Sequence, residues 1–195
     1  ELFGSEEAFV TKLDSLFTIP STQVEGASAD ITGLIGQYAH GNEPSHHTTY
    51  LYAWVGQQWK SADKVREICT TMYTDQPDGL CGNEGCGQMS AWYVFSSLGF
   101  YPVNPANGAY VFGSPLFNEA EIELPEGKSF KVIAENNSKE NIYIHSAKLN
   151  GQPYEKTFIT HKDILQGGEL VFVMGNTPNP EFGKAIENRP KSVVY

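Results

Sequence analysis

Two short stretches concentrate the side chains that could do chemistry. The first, His40-Gly41-Asn42-Glu43-Pro44-Ser45-His46-His47, gathers three imidazoles, a carboxylate and a carboxamide within eight residues. Its proline fixes the backbone where a helix would begin, so polar side chains and free amides would converge there on a ligand. Adjacent histidines point to different faces of a helix, and the spacing is not that of a His-Glu-x-x-His zinc site. Read plainly, Glu43 and Ser45 are helix caps and the histidines ordinary edge residues. The second stretch runs from Pro77 to Trp92 through Cys81-Gly82-Asn83-Glu84-Gly85-Cys86-Gly87-Gln88. Its glycines allow left-handed backbone and close approach of a ligand. It lacks the Gly-Lys-Ser/Thr ending of a phosphate loop and the alternating Asp/Asn oxygens of an EF-hand. A turn-rich connection between two helices explains it equally well.

The elements that must position these stretches divide near residue 105. Before it the apolar period is helical. Phe9, Leu13, Leu16 and Phe17 predict a helix over about 5–17, and Tyr50, Leu51, Trp54 and Val55 one over about 46–55. Val65, Ile68, Cys69, Met72 and Tyr73 predict another, with Ser61 as N-cap. The last runs over about 87–98 and stops at Gly99 as its C′ residue. After residue 105 the pattern turns strand-like, with candidates at 109–112, 120–124, 129–134, 142–149, 154–159 and 169–174. Asn150-Gly151 predicts a type I′ hairpin turn. Thr160-His161-Lys162-Asp163 reads as one capped helical turn, and the tail after Gly175 as irregular. The expectation is α+β: a helical segment, residues 1–105, followed by an antiparallel β region, residues 106–195.

Composition narrows the class. The 195 residues carry a net charge of −10, from 13 basic and 23 acidic side chains. Nucleic acid and anionic membranes both demand a basic face, so neither is expected as a partner. No apolar run approaches the roughly 18–20 residues that span a bilayer. The N-terminus has no basic or apolar leader, so an export signal would lie upstream or have been removed. Ten Tyr, 11 Phe and 3 Trp supply rings of the kind that pack on sugars. Trp54, Trp59 and Trp92 fall at helical spacing, which favours the core over a sugar platform. Three cysteines (Cys69, Cys81, Cys86) allow one Cys81–Cys86 bridge but define no disulfide framework. Asn136-Asn137-Ser138 fits a sequon and equally a polar turn, and His161 with Asp163 reads as a cap.

In order along the chain, His40–His47, Trp59-Lys60, Val65-Arg66, Pro77-Asp78-Gly79-Leu80, Cys86-Gly87-Gln88-Met89-Ser90-Ala91-Trp92-Tyr93, Leu98–Pro102, Gly113–Phe117 and Thr160–Ile164 with Gly167-Gly168 resemble the C-terminal part of glycoside hydrolase family 92. These are bacterial exo-acting α-mannosidases. The resemblance implies a longer parent, with an N-terminal β-sandwich domain before a catalytic (α/α)6 barrel whose last helices are represented here. It implies inverting, calcium-dependent hydrolysis of α-mannosidic linkages, commonly α-1,2, in mannose-rich glycans such as N-glycans, outside the cytoplasm (periplasmic or extracellular).

Carried over residue by residue, the resemblance places Asn42, Glu43, His46, His47 and Asn83 against substrate, with Glu43 and Asn83 as candidate calcium ligands. It places the general base at the position of Gly85, a residue that accepts no proton, with Glu84 as a poor substitute. The general acid falls outside the chain. The isolated chain is therefore expected to be inactive and to self-associate through uncovered barrel faces holding Phe9, Leu16, Trp54 and Trp92. A non-catalytic carbohydrate-binding or structural role is the alternative.

Overall fold

The computed structural model describes residues 2–23 and 31–192. Helix α1 (Glu6–Thr18) begins where the Ser5 side chain accepts the Ala8 amide, with Glu6 and Glu7 against the positive helix end. Leu13 and Phe17 are its buried residues, while Phe9 and Leu16 are half-buried. A small hairpin, β1 (Leu34–Ile35) and β2 (Tyr38–Ala39), follows and leads into the histidine stretch.

The helix expected over 46–55 is 3-10 rather than α. It spans Thr48–Val55 and ends at the left-handed Gly56. With about three residues per turn the inward face shifts. Thr49, Tyr50, Tyr52 and Ala53 are buried, whereas Leu51, Trp54 and Val55 are only half-covered. Helix α2 (Gln58–Thr71) starts before the expected cap, so Ser61 lies inside it, buried. Its Gln58 amide donates to the carbonyls of Phe112 and Gly113. Helix α3 (Gln88–Leu98) ends as expected at Gly99, whose φ of 102° only glycine adopts comfortably.

Two sheets follow. The smaller is antiparallel, in the order β3 (Phe100–Asn104), β4 (Ala109–Phe112), β9 (Phe158–Thr160). The larger has the order β5 (Glu119–Glu123), β6 (Ser129–Glu135), β10 (Gly168–Gly175), β7 (Tyr143–Leu149), β8 (Gln152–Pro153). The antiparallel expectation fails at one pair: β10 runs parallel to β6, from Gly168 beside Phe130 to Val173 beside Glu135. Strand β10 is apolar on both faces, with Leu170, Phe172 and Met174 buried and Val171 and Val173 half-buried. Such a strand belongs at the centre of a sheet, and β10 enters between β6 and β7.

Asn150 (φ 50°) and Gly151 (φ 77°) make the expected turn. The partner strand, expected to run from Gln152 through 154–159, however, divides. Only Gln152–Pro153 pairs with β7, and the chain then crosses to the smaller sheet as β9. Pro153 has no N–H to extend the ladder, which confines it to a short edge. Helix α4 (His161–Leu165) carries the capping box of Thr160 and Asp163, so Asp163 is a cap and no partner of His161. The described part of the tail, up to residue 192, has no strand but is anchored: Phe182 is buried and Arg189 reaches Glu6 at 2.8 Å.

Two apolar clusters result. One joins α1, the 3-10 helix, α2 and Trp92; the other lies under the larger sheet around Phe130, Leu170 and Phe172. They meet at Phe95, and β3 pairs with β4 across residue 105. Trp92, expected on an uncovered barrel face, is fully buried. The uncovered apolar side chains at the N-terminal end are instead Leu2 (96% exposed) and Phe3, beside a cleft shared with Phe9 and Trp54.

Candidate active site

The two motif stretches come together backbone to backbone. A side chain on Gly82 would collide with the Gly41 carbonyl, and one on Gly41 with Thr32. Both positions therefore exclude a Cβ for a packing reason. Around this contact lies a cleft of about 940 Å³, lined by Thr32, Asn42, Pro44, Ser45, Gly82 and Asn83. The structure thus brings Asn42 and Asn83, 41 positions apart in sequence, to one cleft. Another cleft, about 620 Å³, lies between His145, Tyr154 and Phe182, on the edge of the larger sheet, and contains no residue of either motif.

Glu43 opens a one-turn 3-10 helix (Glu43–Ser45) that Pro44 pre-sets. Its exposed side chain reaches across to the other loop. A first side-chain carbon built on Gly85 would stand 3.3 Å from Glu43 Oε2 and 3.6 Å from Oε1. Among the described residues, no hydrogen bond or ion pair engages this carboxylate. Gly85 has φ of 60°, a region that penalises most side chains.

Glu84 behaves differently. Its Oε1 accepts the Ser90 amide at 3.0 Å and its Oε2 the Ser90 hydroxyl at 2.8 Å. The Ser90 amide, then the Ser90 hydroxyl, holds this exposed carboxyl below the usual glutamate range. Glu84 is thus an ionised cap on the first turn of α3.

Beneath the loops lies a hydrogen-bonded aromatic floor. His40 is fully buried, with Nδ1 at 2.9 Å from the Tyr38 hydroxyl and Nε2 at 2.7 Å from the Tyr73 hydroxyl. Tyr73 donates to the Met89 carbonyl, so it accepts from His40 Nε2–H, and Tyr38 must donate to Nδ1. His46 donates from Nε2 to the His40 carbonyl and accepts from Gln88 at Nδ1, while Gln88 also donates to the Tyr101 hydroxyl. Trp92 Nε1 donates to the His46 carbonyl. Every ring nitrogen of both histidines is used in its neutral form. Burial, and secondarily His46, lowers His40 to about 3; burial lowers His46. His46, a sequence candidate for substrate contact, is therefore part of the floor, while His47 is exposed and its ring has no hydrogen bond among the described residues. The floor roles of Tyr38, Tyr73, Gln88 and Tyr101 escaped the sequence reading, because they arise only where β2, the loop between α2 and α3, α3 and β3 meet.

Cys81 and Cys86 are free thiols, and buried Cys69, the third, is pushed up to about 12 by desolvation. No three His, Cys, Asp or Glu side chains among the described residues converge as a metal shell. Calcium takes about 6–8 oxygens, and Glu43 and Asn83 supply two side chains from facing loops. These residues do not build a calcium site by themselves. No helix among the described residues is long and apolar enough to cross a membrane.

Residues 1–176 match the model of the glycosyl hydrolase family 92 catalytic domain. A family GH92 α-mannosidase of Bacteroides thetaiotaomicron, solved with mannoimidazole, is 40% identical with a TM-score of 0.91, over 97% of this chain and 25% of that one. A family GH92 inverting mannosidase of the same organism is 41% identical with a TM-score of 0.85, over 98% and 27%. An uncharacterised secreted glycosidase of Arthroderma benhamiae is 36% identical over 138 residues, 69% of this chain and 18% of that protein. The chain thus spans about a quarter of the length of these solved relatives. With its Gly41–Gly82 contact and the Asn42–Asn83 cleft on a matching fold, it belongs to glycoside hydrolase family 92.

Proposed function

We propose that this chain works as part of a longer, inverting α-mannosidase that hydrolyses α-mannosidic linkages in mannose-rich glycans. The observation that carries the reading is the meeting of the two loops at Gly41 and Gly82, which turns Asn42 and Asn83 to one open cleft. Carboxamides of this kind bridge vicinal sugar hydroxyls. The helices would form one part of an (α/α)6 barrel. The likeness to a secreted glycosidase supports action outside the cytoplasm.

Inverting hydrolysis needs two carboxyl groups about 6.5–9.5 Å apart, an acid for the leaving oxygen and a base for the water. The motif loops offer Glu43, with Glu84 committed to Ser90. The 195-residue chain alone should therefore release no mannose from an aryl α-mannoside. The longest natural polypeptide carrying it should release mannose at a measurable rate. Turnover by the 195-residue chain would contradict this reading. Silence from both would favour the second reading, a non-catalytic carbohydrate-binding or structural module, which the capture of Glu84 by Ser90 recommends.

Calcium belongs to the proposal as a group completed from elsewhere in the longer protein, with Glu43 and Asn83 as this chain's contribution. Calorimetric titration of the isolated chain with calcium should show no site tighter than about 10⁻⁵ M. A micromolar site would mean that these loops suffice. Self-association of the isolated chain through the Leu2–Phe3–Trp54 face is part of the same reading.

A further inference from the structure

We propose that Asn150 and Gly151 form a self-modifying site, at which the Gly151 nitrogen closes on the Asn150 side chain and the carboxamide is lost as ammonia. The pair is exposed and makes the turn between β7 and β8, with Leu149 and Gln152 paired across its base. Among the described residues the Gly151 N–H has no acceptor, so the nucleophile is unencumbered. The electrophile is held in place. Asn150 donates its backbone amide to the Glu169 carbonyl at 2.9 Å and accepts the Glu169 amide at Oδ1, also at 2.9 Å. Gly168 leaves the space in which that side chain lies, since a Cβ there would collide with Asn150 Oδ1.

Backbone geometry suits the closure. A ring joining the Gly151 nitrogen to Cγ sets Asn150 ψ at about −120°, which at positive φ is the first central position of a type II′ turn. Asn150 already has φ of 50°. A flip of the one peptide between Asn150 and Gly151 therefore carries the turn from type I′ to type II′, and both suit the twist of a hairpin. Glycine permits the flip because it accepts either sign of φ. Asn107-Gly108, the second such pair in the sequence, lacks this route. Asn107 closes a 3-10 helix (Pro105–Asn107), and its Oδ1 accepts the Ala109 amide at 2.9 Å. At helical φ the same ψ lies outside the regions open to L-residues.

In the step, solvent hydroxide removes the Gly151 N–H proton and the nitrogen bonds to Cγ. Negative charge moves to Oδ1, where the Glu169 amide already donates, as an oxyanion donor must. The Cγ–Nδ2 bond then breaks, and Nδ2 leaves as ammonia with a proton taken from water. A second water opens the succinimide. Attack at Cγ gives aspartate at 150; attack at the main-chain carbonyl carbon gives isoaspartate, with an extra methylene in the backbone of the turn. Either product adds a negative charge next to Glu169 in the sheet.

The test is peptide mass mapping of the longest natural polypeptide that carries this chain, held folded in mildly alkaline buffer and sampled over weeks. Asn150 should convert to aspartate and isoaspartate at least about tenfold faster than Asn107 in the folded protein, and at most about threefold faster in concentrated urea. Asn150→Gln, whose longer side chain would have to close a larger ring, should stop conversion at 150 and leave the rate at 107 unchanged. A folded advantage below about tenfold would overturn the proposal. So would an Asn150 that stays an amide throughout. An advantage that does not shrink in urea would also overturn it, by tracing the preference to the neighbouring residues and not to the turn.

Discussion

Replacing Arg66 by methionine should destabilise the chain by roughly 3–5 kcal/mol, the scale for stranding several buried hydrogen-bond acceptors at once. Arg66, on α2, is 8% exposed and has no carboxylate partner among the described residues. Its guanidinium instead donates to Ser114 Oγ, the Pro115 and Ser138 carbonyls and Asn137 Oδ1. These acceptors lie 48 to 72 positions away in sequence, in the loops before β5 and after β6. Asn137 in turn donates to the Leu116 carbonyl, and Ser114 to that of Ile142. One side chain thus fastens the helical half to two loops of the larger sheet. Methionine would fill similar volume but leave several acceptors unpaired, each costing about 1–3 kcal/mol where water cannot reach it. Lysine should recover only part of the loss, since a point charge cannot copy the planar fork. Urea denaturation would show the shift as a lower midpoint at unchanged m-value. A change under 1 kcal/mol for Arg66→Met would mean that water replaces the guanidinium without penalty.

Local signals in the sequence proved reliable where only neighbours decide the outcome. Gly99 ends α3, Asn150-Gly151 turns the hairpin, and Thr160 with Asp163 caps α4. The errors lie where distant residues decide. Nothing near Leu170 says that β10 pairs in parallel with a strand some forty positions earlier, and nothing near Pro153 says that β9 joins another sheet. The site divides the same way. Asn42, Glu43 and Asn83 were legible as polar groups in glycine-rich turns, and the structure gives Asn42 and Asn83 one cleft. The Gly41–Gly82 contact was not legible, because it depends on two loops meeting. Nor was the diversion of Glu84, which depends on Ser90 facing it after α3 has formed.

The floor under those loops predicts a loss of stability in mild acid. Unfolded histidine protonates near 6.5, whereas buried His40 is lowered to about 3, first by desolvation and then by His46. Above about pH 6.5 the ring is neutral in both states and adds no pH dependence. As pH falls below 6.5 the unfolded chain takes up the proton and the folded chain does not, so stability drops. The slope is about 1.4 kcal/mol per pH unit for one proton, giving roughly 3 kcal/mol lost by pH 4.5. The loss stops growing only near pH 3, where the folded ring also protonates. His46, lowered by burial, acts in the same direction. Geometry explains why folded His40 resists: its Nδ1 accepts from Tyr38, and a proton there would face the donor that the Tyr38 hydroxyl already presents. Unfolding midpoints in urea between pH 4.5 and 7.5 would measure the slope. His40→Gln, which does not titrate, should flatten it by about one proton while lowering stability at pH 7.5. Parallel curves for wild type and variant would mean that His40 gains its proton without unfolding the floor.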